Sequence, residues 1–437
     1  MPDQARGTAA GGPDLPPTRP RAAGDGPAGS SGASRLALSA TLAVVMAAGP
    51  LAVFALSALG PVVTAELHLS HSQFGLLATL AFMVAAPSAV ILGRWVDRYP
   101  ARRILVGVFA LSGLSVTVTA VAPSFGWLLV GVLIGGVAMS VTNPVTNRVV
   151  TRHVPPGQRG GVMGTKQSGV QVSQFLIGLT LPGLAEHVGW RTALAATLTM
   201  VLVGFVLTYL FIPVAAKTAP PTAARQGGPR GTVPSDVWLL LAYSFLTGAA
   251  IQSTNAYLPL FAFERLSLSS ATAGFTVSVV GGIGLVARIM WGRAADRSRK
   301  PWRILAAMSA SGAMATCLLA AASSTTTAWL IWAAAALSGA TVVASNVVVM
   351  MTLVRVVDVR LVGTATGLLA LGLYAGFAAG PVSFGLLVEA VGYASAWLVV
   401  AGAYSAAALL VLAARRTAGD LPAHAAALQE ADDVAAL

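Results

Sequence analysis

The feature that most constrains this chain is the length of its stretches without a single Asp, Glu, Lys or Arg. They cover 36–65, 67–93, 104–147, 167–185, 192–216, 237–263, 266–287, 304–354, 361–388 and 390–414. A segment of ~20 apolar residues crosses the hydrocarbon core of a bilayer. The runs 104–147 and 304–354 can each hold two spans, divided by the turn chemistry of Pro123-Ser-Phe-Gly and of Ser323-Ser-Thr-Thr-Thr. Twelve transmembrane helices are therefore expected, at about 36–60, 72–93, 104–122, 127–150, 161–182, 192–213, 237–262, 271–291, 304–323, 328–353, 362–388 and 395–414. The chain is 56% hydrophobic and 10% charged, too little charge to cover a soluble surface of this size.

The formal net charge of +12 does not point to a nucleic acid, because the basic residues are sorted by side. Of the 27 Lys and Arg, 23 fall on the side that holds both termini in an even-span topology. Only Arg191 and Arg265 fall opposite, and Lys166 and Arg288 lie within spans. The positive-inside rule makes the basic side, and both termini, cytoplasmic. Residues 1–34 are rich in Gly, Pro and Ala and read as a disordered cytoplasmic tail with no cleavable leader. The expected organisation continues with a six-helix bundle over 35–213, a cytoplasmic linker over 214–236, a second bundle over 237–414 and a tail over 415–437.

The two bundles are copies of one unit. Gly75 and Gly93 recur as Gly274 and Gly292, 199 residues on. Gly136, Asn143, Arg152, Gly160, Gly164 and Gly189 recur as Gly339, Asn346, Arg355, Gly363, Gly367 and Gly392, 203 residues on. Within this repeat GRWVDRYPARRIL from Gly93 matches GRAADRSRKPWRIL from Gly292. Parallel repeats of this kind build alternating-access transporters, with substrate held at the repeat interface near mid-membrane.

Over about 36–414 the chain resembles the major facilitator superfamily. The family's signature between helices 2 and 3, Gly-x-x-x-Asp-Arg with basic residues, matches Gly93, Asp97, Arg98, Arg102 and Arg103. Its degenerate second copy matches Gly292, Asp296, Arg297, Arg299, Lys300 and Arg303. The resemblance implies an all-α fold of two pseudo-symmetric six-helix bundles that works as a monomer without a cofactor. It also implies a gating role for Gly93, Asp97, Arg98, Gly292, Asp296 and Arg297. The basic residues also set topology, whereas an acid adds nothing to that rule.

Helices 1, 4, 7 and 10 line the cavity in this superfamily. The resemblance therefore marks Asn143 and Asn147 in helix 4, Gln252 and Asn255 in helix 7, and Asn346 in helix 10. Each of these either contacts substrate or hydrogen-bonds between helices. In helix 5, Gln167, Gln171 and Gln174 share a face at helical spacing. That helix, with PPGQRGGVMGTKQSG and GWRTAL, resembles the cyanate-permease-like branch. No carboxylate lies inside a span, and an interior holding only Lys166 and Arg288 attracts anions. Lys166 lies near the cytoplasmic start of an outward helix, so it either snorkels or faces the cavity. Arg288 points away from the nearest water, and ARIMWGRAADR resembles the segment in which anion porters bind the substrate's negative group.

The resulting expectation is a secondary transporter in the cytoplasmic membrane, not an enzyme, whose partners are the lipid bilayer and a small, anionic solute. The coupling ion is left open between H+ and a counter-anion. An exporter of hydrophobic or cationic compounds and a non-transporting ligand sensor are the alternatives. Gly131 stands where proton-coupled members carry an Arg, and the antiporter Gly-Pro motif is missing from helix 5. Cys317 stands alone, and His68 and His71 lack a third ligand nearby, so no disulfide or metal site is expected. GGVMGTKQS lacks the core of a phosphate loop.

Overall fold

The computed structural model describes residues 32–212, 234–298, 300–358 and 361–417. The expected tails lie outside these residues from 1 to 31 and from 418 on, as does most of the linker, 213–233. The first half consists of α1 (Gly32–Ala48), α2 (Leu51–Ala58), α3 (Gly60–Leu67), α4 (His71–Arg98), α5 (Ala101–Ala120), α6 (Phe125–His153), α7 (Arg159–Val188), α8 (Trp190–Ala196) and α9 (Leu198–Phe211). The second consists of α10 (Ser235–Leu266), α11 (Ser270–Arg297), α12 (Pro301–Thr325), α13 (Trp329–Ala340), α14 (Ser345–Val356) and α15 (Val362–Thr417). No strand occurs among the described residues.

Nine helical spans among the described residues, with α8–α9 and α13–α14 counted as one each, are long and apolar enough to cross a membrane, or ten with the bent pair α1–α2. That pair turns by 60° at Gly49-Pro50, where proline cannot donate to the preceding turn. The expected twelve is reached only by two further steps. One counts α7, which is 30 residues long but too polar to pass on apolarity. The other divides α15, whose 56 residues would reach about 84 Å as one rod, far beyond a ~30 Å core. Gly392 breaks it with φ 78°, a backbone only glycine adopts freely. Its repeat partner Gly189 separates α7 from α8 with φ 80°. The pseudo-symmetric pair His68 and Ser267 closes α3 and α10 in the left-handed region, with φ 49° and 50°. Ser70 and Ser269 then cap α4 and α11 by accepting from the N–H groups of Gln73 and Thr272.

Among the described residues, the polar contacts between the two halves gather toward one end. The signature end holds the loops after Arg98 and Arg297, and the far end holds those before His71 and Ser270. A large apolar cluster joins both halves, with Val63, Phe74 and Leu181 packed among Leu258, Phe261 and Trp397. The second half keeps a separate cluster, around Leu305, Val348 and Leu353. At Gly274 the far-end helices approach so closely that a methyl would meet the Pro182 ring and the Ala58 carbonyl. At Gly93, Gly164, Gly363 and Gly367, toward the signature end, a methyl would meet nothing within 4 Å.

Candidate functional site

Far-end closure rests on a set of polar contacts between the halves. His71 Nε2 lies 2.8 Å from Glu264 Oε2, which also accepts from the Tyr393 hydroxyl at 2.8 Å. Glu389 accepts from the Ser72 N–H at 2.7 Å, and Glu186 from the Ala271 N–H at 3.0 Å. Deeper in, Thr79 donates to the Ala378 carbonyl at 2.6 Å, and Phe82 packs on Phe377 with ring centroids 4.8 Å apart. Nearby, Ser57 donates to the Asn255 carbonyl, and Gln174 Nε2 donates to Asn255 Oδ1 at 3.3 Å. Asn255 is thus part of the seal. Gln252, one turn earlier on α10, is 3% exposed.

The two interior cations lie below this seal. Lys166 is seven residues from the start of α7 and Arg288 nine residues from the end of α11, so both sit about 10–14 Å from the signature end. Lys166 does not snorkel. It is 1% exposed, and its ammonium turns to α6, donating to Thr146 Oγ1 at 2.9 Å, Asn143 Oδ1 at 3.4 Å and Asn147 Oδ1. Residues 143, 146 and 147 share one helical face, so α6 presents three oxygens to one ammonium. Tyr374 of the second half reaches the Asn143 side chain. Thr146 and Tyr374 were not among the expected site residues. The i, i+3, i+4 spacing was the available signal for Thr146, and Tyr374 gave none.

Arg288 crosses between the halves. Its guanidinium lies 3.5 Å from the Gln167 carbonyl of α7 and 3.4 Å from the Val343 carbonyl, at long hydrogen-bond distances. Its Nε is buried without a protein partner, as are Gln167 Oε1, Gln171 Oε1 and Asn346 Oδ1. Gln171, 3% exposed, lies against α11 beside Gly284. Lys166 and Gln167 are consecutive, so one turn of α7 moors both cations, one from each half. The expected residues therefore fall into three groups. Lys166, Asn143 and Asn147 form one, Arg288 with the Gln167 carbonyl a second, and Asn255 belongs to the seal, while among the described residues no hydrogen bond ties Gln171, Gln252 or Asn346 to any of the three.

At the signature end the described arginine hydrogen bonds run within each half. Arg148 donates to the carbonyls of Val96 and Tyr99, and Arg355 donates to those of Ala295, Asp296 and Ser298. Sequence register pairs Arg355 with Arg152, yet Arg148, one turn earlier, does the same work. Arg98, Asp296 and Arg297 are exposed. Asp97 lies one residue before the end of α4, and its side chain lies outside what the structure describes. A Cβ on Gly292 would meet only Val347, of its own half. Among the described residues no group of three His, Cys, Asp or Glu could hold a metal.

Two half-bundles, sealed at one end around buried polar residues, have clear counterparts among known proteins. The family model for the Major Facilitator Superfamily matches residues 40–368. The chain belongs to that superfamily. It is accordingly a transporter-family protein of multi-pass membrane fold and not an enzyme. The nitrite extrusion protein of Bacillus subtilis (strain 168) is 26% identical over 256 residues, 56% of this chain and 60% of that protein. The multi-drug resistance efflux pump PmrA of Streptococcus pneumoniae serotype 4 is 27% identical over 257 residues, 54% of this chain and 61% of that protein. The matched region thus spans under two thirds of these relatives' length. The crystal structure of the nucleoside transporter NupG superposes with a TM-score of 0.65 over 86% of this chain and 98% of that one, at 15% identity. At that identity it speaks for the fold alone.

Proposed function

We propose that this protein is a secondary active transporter that moves a small anion across the cytoplasmic membrane by alternating access. The observation that carries this reading is the pair of interior cations, Lys166 from one half and Arg288 from the other, at similar depth on one turn of α7. No carboxylate faces them among the described residues, so an anion is the missing counter-charge. Arg288 offers an unpartnered Nε and only long bonds to carbonyls, a guanidinium ready to fork onto two oxygens of an anion. The name of the B. subtilis relative, a nitrite extrusion protein, supports an anion. That of PmrA supports the second reading, export of hydrophobic or cationic compounds, which would leave both cations without a role.

With 23 of 27 basic residues on the signature side, that side and both termini are cytoplasmic in this proposal. The conformation described then opens inward. Gly93, Asp97, Arg98, Gly292, Asp296 and Arg297 would close the cytoplasmic gate in the opposite state, and one chain supplies the whole site. The test is uptake by proteoliposomes of nitrite, nitrate, lactate and benzoate, against ethidium as a hydrophobic cation. Saturable uptake of an anion whose affinity Arg288→Gln weakens by about tenfold or more supports the reading. Transport of ethidium alone, unaffected by Arg288→Gln, refutes it.

A further inference from the structure

The coupling ion is the part of this transport cycle that the family does not decide, and the surroundings of Lys166 bear on it. Transport coupled to protons needs a group that gains and loses one while shielded from both sides. Such groups are most often carboxylates or histidines. Here Glu66, Glu186, Glu264, Glu389, His68, His71 and His187 all lie at the far end, and Asp97, Asp236, Asp296, Asp358 and His153 lie at the signature end. Between them, the described ionisable side chains near the site are Lys166, Arg288 and Tyr374.

Each helix packed around Lys166 adds to the case. Its ammonium meets only neutral oxygens, those of Asn143, Thr146 and Asn147 on α6. On α6 the nearest cation is Arg148, turned to the Val96 and Tyr99 carbonyls. On α1 it is Arg35, bound to Gln158 at the signature end. On α7 itself Arg159 is held by the Thr151 and Val154 carbonyls. From the second half come Arg288 on α11, moored to the residue after Lys166, and Tyr374 on α15, which reaches Asn143. A second buried cation with no counter-charge is costly to keep. The cage tolerates its loss. An asparagine amide turned end for end offers N–H in place of oxygen, so Asn147 or Asn143 can accept an ammonium or donate to an amine.

Resting on the anion-transport reading above, we propose that Lys166 carries the coupling proton, one per monovalent anion, as an ammonium in the loaded site and an amine in the empty one. The charges balance. Loaded, two cations and one anion leave the site at +1. Empty, Arg288 alone leaves it at +1. Both crossings carry the same charge, so the cycle moves no net charge across the membrane. The only bond made or broken is an N–H bond at Nζ. Water on the loading side supplies the proton, and water on the other side takes it back with the anion.

The test uses proteoliposomes and nitrite, nitrate, lactate and benzoate as tracers, with uptake by protein-free vesicles subtracted. In the wild type a pH gradient, alkaline inside, should drive uptake, and one pH unit should support about tenfold accumulation. A membrane potential imposed without a pH gradient should leave uptake unchanged. Lys166→Met removes one of the two site cations, so tracer exchange should weaken, and the uptake that remains should lose the response to pH and become sensitive to potential. Lys166→Arg, charged in both states, should exchange tracer but lose net uptake. Monodisperse elution and a wild-type melting temperature in detergent show that each variant is folded. Wild-type uptake that ignores the pH gradient, or a pH response that survives in Lys166→Met or Lys166→Arg, overturns the proposal while leaving anion transport intact. No uptake of any tracer by the wild type overturns the anion reading and this proposal together.

Discussion

Glu264 anchors the far-end seal, and its replacement has a consequence that can be worked from the contacts. One carboxylate oxygen accepts from Tyr393 and pairs with His71 across the halves, at 2.8 Å each. Glu264→Gln keeps the shape but removes the charge. Hydrogen bonds to buried charged groups contribute about 1.5–3 kcal/mol, and exposed pairs about 0.2–1 kcal/mol. The His71 and Glu264 side chains are 28% and 32% exposed, which places the pair between those limits, at about 1 kcal/mol. The population open at the far end should rise roughly fivefold. The assay is the reaction rate of a cysteine at Thr79, whose hydroxyl meets the Ala378 carbonyl of the other half in the sealed state. A membrane-impermeant thiol reagent is added from the far side, in a background where the exposed Cys317 is Ser. The rate should rise about fivefold when Glu264→Gln is added, because only the open population reacts. An unchanged rate would mean that the His71–Glu264–Tyr393 group does not hold the halves together.

Other outcomes follow from the same contacts. In whole cells a cysteine at Ser70 should label from outside and one at Gly157 only after permeabilisation; the reverse would invert the orientation. Gly274→Leu should prevent far-end closure, because its side chain would occupy the space of the Pro182 ring and the Ala58 carbonyl, and the Thr79 cysteine should then react freely. Bonds from Arg191 and Trp190 hold the Glu66 carboxyl below its usual range. A depressed carboxyl stabilises the folded protein above its unfolded pKa, and that contribution is lost as pH falls through the folded value. Glu66→Gln should therefore lower the melting temperature at neutral pH, with the difference shrinking as the solution is made acid.

Much of this architecture is legible in the amino-acid sequence because hydrocarbon leaves a chain few options. Charge-free runs and the glycine repeat gave most of the spans and the two halves. Even the turn glycines Gly189 and Gly392 stood out at a constant offset. Breaks inside spans were harder to see. Gly49-Pro50 marked one, but nothing around Thr341 announced the interruption of α13, and sequence register paired Arg355 with Arg152 when Arg148 is its counterpart. The polar site was legible in kind but not in grouping. Asn143 and Asn147 could be placed on one face of α6, while their capture of Lys166 depends on how α7 is rotated about its axis. That rotation is set by close packing of Gly169 on Ala43 and of Gly281 on Gln171 and Phe175. Asn255 joined the seal for a similar reason, since Gln174 reaches it only when the halves close at the far end.

The most direct test of the anion site is tracer exchange by the purified protein with Arg288 changed to Lys and to Gln. Lys keeps the charge but loses the fork that can hold two oxygens, and Gln loses both. A charge-assisted hydrogen bond contributes about 1.5–3 kcal/mol, so Arg288→Gln should weaken anion affinity roughly ten- to hundredfold, with Arg288→Lys falling between it and the wild type. Wild-type affinity in a well-folded Arg288→Gln protein would contradict the account, because the anion would then be held without the one cation that spans both halves.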